Sequence, residues 1–183
     1  MFAQLTTAVL SLTLADSDHS VKVVTSAADP PVEAVTVYKA GAKPGTKPLL
    51  TVTKFGEPAK LPSGGPFDVY ARPKGGLEVR VAEKLTVKPG TSHELKLAAV
   101  LGSVTVFGDN LPRAEKVVLT APDDPGPGEK GHTPVQTAAE YRVELVVPEG
   151  VYTVWVVPAN GARSLKAEDK VRVHAGRTTR VGG

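Results

Sequence analysis

The feature that most constrains this chain is a Pro-x-Gly corner followed by strict alternation, and it occurs twice. Residues 61–73 read LPSGGPFDVYARP, and residues 147–158 read VPEGVYTVWVVP. Each run holds a Pro with a Gly two positions later, Pro62 with Gly64 and Pro148 with Gly150. Proline fixes φ and glycine admits positive φ, so the pair makes a corner with a defined exit. Beyond the second corner, Tyr152, Val154 and Val156 alternate with Thr153, Trp155 and Val157; beyond the first, Phe67, Val69 and Ala71 alternate with Asp68, Tyr70 and Arg72. A period of two predicts strands with one face turned to a core.

The match extends downstream. Val69 and Val154 stand 85 positions apart, as do Tyr70 and Trp155. Further on, Leu85 pairs with Val171, Gly90 with Gly176 and Leu95 with Val181, now 86 apart; Asp169 is read as the inserted residue. Two copies of one unit of roughly 80–90 residues follow, each within the usual size of a domain. The division expected is an N-terminal segment over 1–20, a first sandwich over 21–99 and a second over 100–183. No Ser/Gly-rich linker separates the copies, so they should be closely coupled.

The run LPxGxYxVxV followed by V.V..G....V resembles the latter half of transthyretin-like sandwich modules, among them carboxypeptidase regulatory-like domains, PEGA domains and collagen-adhesin B-type repeats. The resemblance covers about half of each unit. It implies an all-β fold of two tandem antiparallel β-sandwiches, transthyretin-like or Ig-like, and says little of function, because such modules serve as spacers, stalks and binding appendages. The isopeptide cross-link of adhesin-type modules is not carried over. That chemistry needs an Asn on a core-facing strand position, and the chain has only Asn110 and Asn160; the first unit has none, and Asn160 sits at a turn.

Composition agrees with sandwiches. Hydrophobic residues make up 41% and aromatics only 5%, so cores should be built of Val, Leu and Ala. Eighteen Gly and 16 Pro suit many short strands joined by turns. Without Cys there is no disulfide framework, thiolate metal site or cysteine nucleophile. Net charge is +3, with 12 Lys and Arg against 9 Asp and Glu in residues 1–98. Scattered lysines make a solvated surface, not a nucleic-acid footprint. The only basic run, Arg172, His174, Arg177 and Arg180, lacks interleaved aromatics and reads as an edge strand blunted by charge.

Residues 1–15 carry no charged side chain, and Leu10, Leu12 and Leu14 alternate with Ser11 and Thr13. The segment reads as a strand, with a weak secretory signal as the alternative; it is too short and polar to span a membrane. Strands follow over 21–26, 35–39, 49–54, 67–72 and 77–82, with 8–26 as a candidate hairpin and a further strand around Leu85 and Val87. The second copy is taken to open with VTVF at 104–107, matched to VTVY at 35–38, and to be lengthened by an exposed, mobile loop over 121–134. Asn160-Gly161 reads as a two-residue hairpin turn matching Gly75-Gly76.

Tests for chemistry leave little. The Gly-rich loops lack the Lys–Ser/Thr pair of a phosphate loop. His19, His93, His132 and His174 are not at metal-ligand spacing. Asp123, Asp124, Glu129 and His132 share one loop, but in the order of no calcium loop. No Ser lies in a nucleophile elbow. The expectation is a non-enzymatic structural or interaction protein without cofactor or metal: a surface, stalk or assembly subunit, extracellular or in the cell envelope, or part of a larger particle or filament. Protein partners or self-association would use Leu10, Leu12, Leu14, Trp155 and the arginines. The alternative is a carbohydrate- or small-ligand-binding module using Trp155 and loop 121–134.

Overall fold

The computed structural model describes residues 18–26 and 29–182. Leu10, Leu12, Leu14 and most of the expected 8–26 hairpin lie outside the described residues. Apart from one 3-10 turn the described residues are all β, in two sandwiches of seven strands each. The first has β1 (His19–Val24), β2 (Val32–Lys39), β3 (Leu50–Val52), β4 (Pro58–Leu61), β5 (Phe67–Pro73), β6 (Val79–Leu85) and β7 (Ser92–Lys96). A single 3-10 turn, Leu97–Ala99, leads to the second: β8 (Leu101–Val106), β9 (Ala114–Thr120), β10 (Pro134–Ala138), β11 (Glu144–Pro148), β12 (Gly150–Pro158), β13 (Leu165–Val173) and β14 (Thr178–Val181).

The topologies are identical. A sheet ordered β4-β1-β7 faces one ordered β3-β2-β5-β6, and β11-β8-β14 faces β10-β9-β12-β13. Pairing is antiparallel except for β1 with β7 and β8 with β14, which run parallel. The all-antiparallel expectation is corrected there: the last strand of each unit returns beside its first from the same end.

Each core is mainly valine, as the scarcity of aromatics required. In the first, Val21 and Val23 meet Val35, Val37, Val69 and Ala71 across the sandwich, with Phe67 at one end. In the second, Val104 and Val106 meet Val117, Leu119, Val154 and Val171. A buried Val or Leu side chain contributes about 1.5–3 kcal/mol, so many small residues replace a few large ones.

Strand pairing corrects four details of the repeat. VTVY lies on β2, whose counterpart is β9, because Thr36 faces Tyr70 as Val118 faces Trp155; VTVF lies on β8, the counterpart of β1. The copies therefore differ little in length, and the loop after β9 is only modestly longer than that after β2. Second, β6 is one strand through Leu85, kinked by a bulge, where two were expected. Third, Arg80, Ala82 and Leu85 face β5 as Lys166, Glu168 and Val171 face β12, already 86 apart. The inserted residue thus lies in the hairpin before β13; Asp169 matches Glu83. Fourth, neither hairpin has a two-residue turn. Gly76 N–H bonds Pro73 O and Gly161 N–H bonds Pro158 O, and the strands resume pairing only at Val79 and Leu165.

Candidate functional site

The junction between the sandwiches is held by a buried polar side chain. Outward-facing Val146 of β11 and Leu101 of β8 are buried in the core cluster of the first sandwich, beside Leu97. Gln136 of β10, 1% exposed, reaches the tip of the β5–β6 hairpin. Its Oε1 accepts the N–H of Leu77 at 2.7 Å and of Thr137 at 3.1 Å. Its Nε2 donates to the carbonyls of Leu77 at 3.2 Å and Val146 at 3.1 Å. All four hydrogen-bonding valences of the amide are used, two of them on Leu77, 59 residues away in sequence. Gly76 permits the approach: a Cβ there would sit 2.8 Å from the Gln136 amide. Glu149 N–H adds a bond to Val100 O at 3.0 Å.

The outer face of each four-stranded sheet is flanked by the loop joining its first two strands in sequence. In the first sandwich, Glu78 accepts hydrogen bonds from Thr36 Oγ1 at 3.1 Å and Tyr38 Oη at 3.0 Å. Tyr38 also stands edge-on to Tyr70, 5.5 Å between centroids. Burial, with Glu78 beside it, pushes the Tyr38 phenol upward. Asp68, 4% exposed, accepts the amides of Lys84 at 2.9 Å and Gly41 at 2.8 Å. Those two amides hold its carboxyl below the ordinary range against the effect of burial.

Lys84 adopts φ 50 and its counterpart Lys170 φ 54, so both copies keep the same bulge. At the second, Thr153 donates to Asp169 at 2.8 Å. The carboxylate has changed strands while the bulge has stayed.

In the second sandwich the roof is residues 121–133, and it is pinned at several points, contrary to the expectation of a mobile loop. Asp124 accepts the amides of Gly126 at 2.8 Å and Thr133 at 2.7 Å, and its Oδ1 lies 2.7 Å from His132 Nδ1. Burial works to raise the Asp124 carboxyl, but these partners outweigh it and the net shift is downward. Thr120, Thr153 and Val118 are buried beneath. Trp155, partly exposed, donates Nε1–H to Thr120 Oγ1 at 3.1 Å and lies against Gly126, with Lys166 Nζ 5.3 Å from its ring centroid. It is an anchor for the roof, not an open platform. A groove of about 300 Å3 remains along its edge, between Pro125, Pro127 and the Arg163–Glu129 pair.

The arginines do not converge. Arg172 faces out from β13 and Arg180 from β14, on opposite faces of the sandwich, with Arg177 in the turn between them. Both strands are sheet edges, as the charge pattern suggested. Arg180 and Arg142 each lie over Phe107, at 5.8 and 5.9 Å. Among the described residues no three His, Asp or Glu side chains gather at one point, and no helix is long and apolar enough to cross a membrane. Sequence reasoning missed Gln136, Glu78 and Asp68. The only available signal for Gln136 was a polar residue where the first copy has Leu50.

No protein-family model matches the chain, and no curated protein does. A solved structure, the Bacillus anthracis TIE protein, is similar over 90% of this chain at 14% identity, with a TM-score of 0.29. This chain spans 32% of that one, and a likeness at that score carries no argument.

Proposed function

We propose that this chain is a non-enzymatic structural and interaction module of transthyretin-like type, a stiff two-sandwich segment of a surface, stalk or assembly protein in an extracellular or cell-envelope setting. The observation that carries the reading is the Gln136 clamp. A tether would leave its ends to water, whereas here a buried amide with every valence used and an apolar seam through Leu101 and Val146 resist bending. The chain has no Cys, so spin labels can be placed at will. With T51C on β3 and K116C on β9, electron–electron distance measurement should give one narrow distribution. A broad or two-peaked one would refute stiffness. Self-association is assigned to the segment holding Leu10, Leu12 and Leu14; deleting residues 1–15 should lower the oligomeric state in sedimentation, and identical sedimentation of both forms would remove that assignment.

A further inference from the structure

Loops 39–49, 61–67 and 85–92 gather at the end of the first sandwich away from the junction, its free end only in that sense, tied together by Ala40 N–H to Pro66 O at 3.2 Å and Val87 N–H to Gly64 O at 2.7 Å. A notch of about 350 Å3 opens there among Ala40, Leu49, Pro62, Pro66 and Phe67. Leu49, at 46%, is the most exposed of the large apolar side chains among the described residues. The three loops contain Lys39, Lys43, Lys47 and Lys88 and no Asp or Glu. All four lysines are exposed, and none makes an ion pair among the described residues. Two carboxylates that adjoin these loops are engaged: Asp68 on the Gly41 and Lys84 amides, Asp18 on Lys60 at 2.9 Å.

The repeat identifies this end with the end of the second sandwich that docks at the junction. Register places Asp18 and Lys60 where the docked end has Leu101 and Val146, and Leu50 where it has Gln136. A further sandwich seated in the same way would bury that ion pair and lack the clamp. What fits is narrower and negative. We propose that the free end of the first sandwich is a docking site for an extended acidic protein segment that places one apolar side chain in the Leu49–Phe67 notch, with its carboxylates among the four lysines. The notch favours a segment over a membrane, because a bilayer takes up protruding apolar groups and leaves a concave one unfilled. The proposal rests on the interaction half of the proposed function. It fails separately from stiffness, since the distance measurement reads how the two sandwiches are held and not peptide binding.

The test is fluorescence anisotropy with a labelled peptide of about ten Glu and Asp residues around a central Phe-Leu pair. Binding is expected at about 50 mM salt and should weaken strongly by about 300 mM. K39E/K43E/K47E should lower affinity roughly tenfold or more, and L49S should abolish the preference for this peptide over one with Gly-Gly at its centre. These residues are exposed, so circular dichroism should match the parent protein. Absence of binding at about millimolar peptide, equal binding by the triple variant, no discrimination between the two peptides, or stronger capture by anionic phosphatidylglycerol vesicles than by peptide would each overturn the proposal.

Discussion

Replacing Gln136 with Leu removes the clamp while keeping similar volume. Four hydrogen bonds are lost, each worth about 0.5–1.5 kcal/mol net, and any partner left dry costs about 1–3 kcal/mol more. Leu77 lies on an exposed hairpin and is 42% exposed, so water can reclaim its amide and carbonyl. Val146 is 1% exposed, and its carbonyl has no such recourse. The sum is about 3–5 kcal/mol, a large part of the 5–15 kcal/mol that holds a typical domain. Urea unfolding can separate the halves, because the single Trp, Trp155, reports on the second sandwich, whereas far-ultraviolet circular dichroism reports on both. In the parent protein the two curves should coincide; in Q136L they should separate. Coincident curves with a loss under about 1 kcal/mol would refute the clamp. G76A gives an independent check. Its Cβ would meet the Gln136 amide at 2.8 Å, and that amide is pinned and cannot yield, so the cost should fall once Gln136 is replaced by Ala; strict additivity in this double-mutant cycle would contradict direct contact.

Other expectations follow from the roofs and the phenols. D124A should free loop 121–133 and shift Trp155 emission to the red, with a loss of about 2–3 kcal/mol; unchanged emission would show that the loop is held elsewhere. The Asp124 carboxyl is depressed in the folded state, so its contribution is present above the ordinary carboxylate value near about 4 and is lost as pH falls through its lower folded value. Trp155 emission should therefore stay constant from neutrality down to about pH 4 and change only below it. D68A should cost about 2–3 kcal/mol and loosen the β6 bulge, read as faster amide exchange at Lys84. Burial raises the Tyr152 phenol to about 12. A raised acid stabilises below its unfolded value near about 10, and that contribution disappears as pH rises through about 12. Alkaline unfolding should begin in that window, and Y152F should delay it.

The strands were legible because the cores depend on a property that sequence displays directly: alternation of Val, Leu and Ala with polar residues, bounded by Pro and Gly. Phe67–Pro73 and Gly150–Pro158 were placed almost to the residue for that reason. The pairing of copies erred where short valine strings resemble one another. VTVF and VTVY are interchangeable letters on β8 and β2, and only their hydrogen-bonded neighbours separate them. The bulge at Lys84 and Lys170 was invisible because Lys at positive φ is a consequence of tertiary pairing, not a local preference. The roofs were misread because Gly and Pro in loop 121–133 suggest mobility, whereas the ordering comes from one buried carboxylate, Asp124, whose partners lie up to nine residues away in sequence. Gln136 escaped notice because its partner, Leu77, lies in the other copy.

Divergence between the copies is concentrated at their ends, and this gives the chain a direction. Topology and bulge are kept in both, yet Leu101 and Val146 become Asp18 and Lys60, and Gln136 becomes Leu50. Val79 is 4% exposed near the junction, whereas its counterpart at the far end, Leu165, is 44% exposed. A polar outer face opposes the stacking of a further repeat, and the exposed Asp18–Lys60 pair supplies one; such a surface pair contributes little stability, about 0–1 kcal/mol, so its value lies in what it prevents. D18L/K60V would restore the apolar docking pair on the free end while leaving both cores intact. Heterologous contact between the two ends of successive molecules does not close and builds open chains. The double variant should therefore sediment, with rising concentration, as progressively larger species than the parent, whereas K60R, which keeps the ion pair, should not. If D18L/K60V sediments like the parent across the same concentrations, the two ends are not equivalent surfaces, and the capping role assigned to Asp18 and Lys60 is wrong.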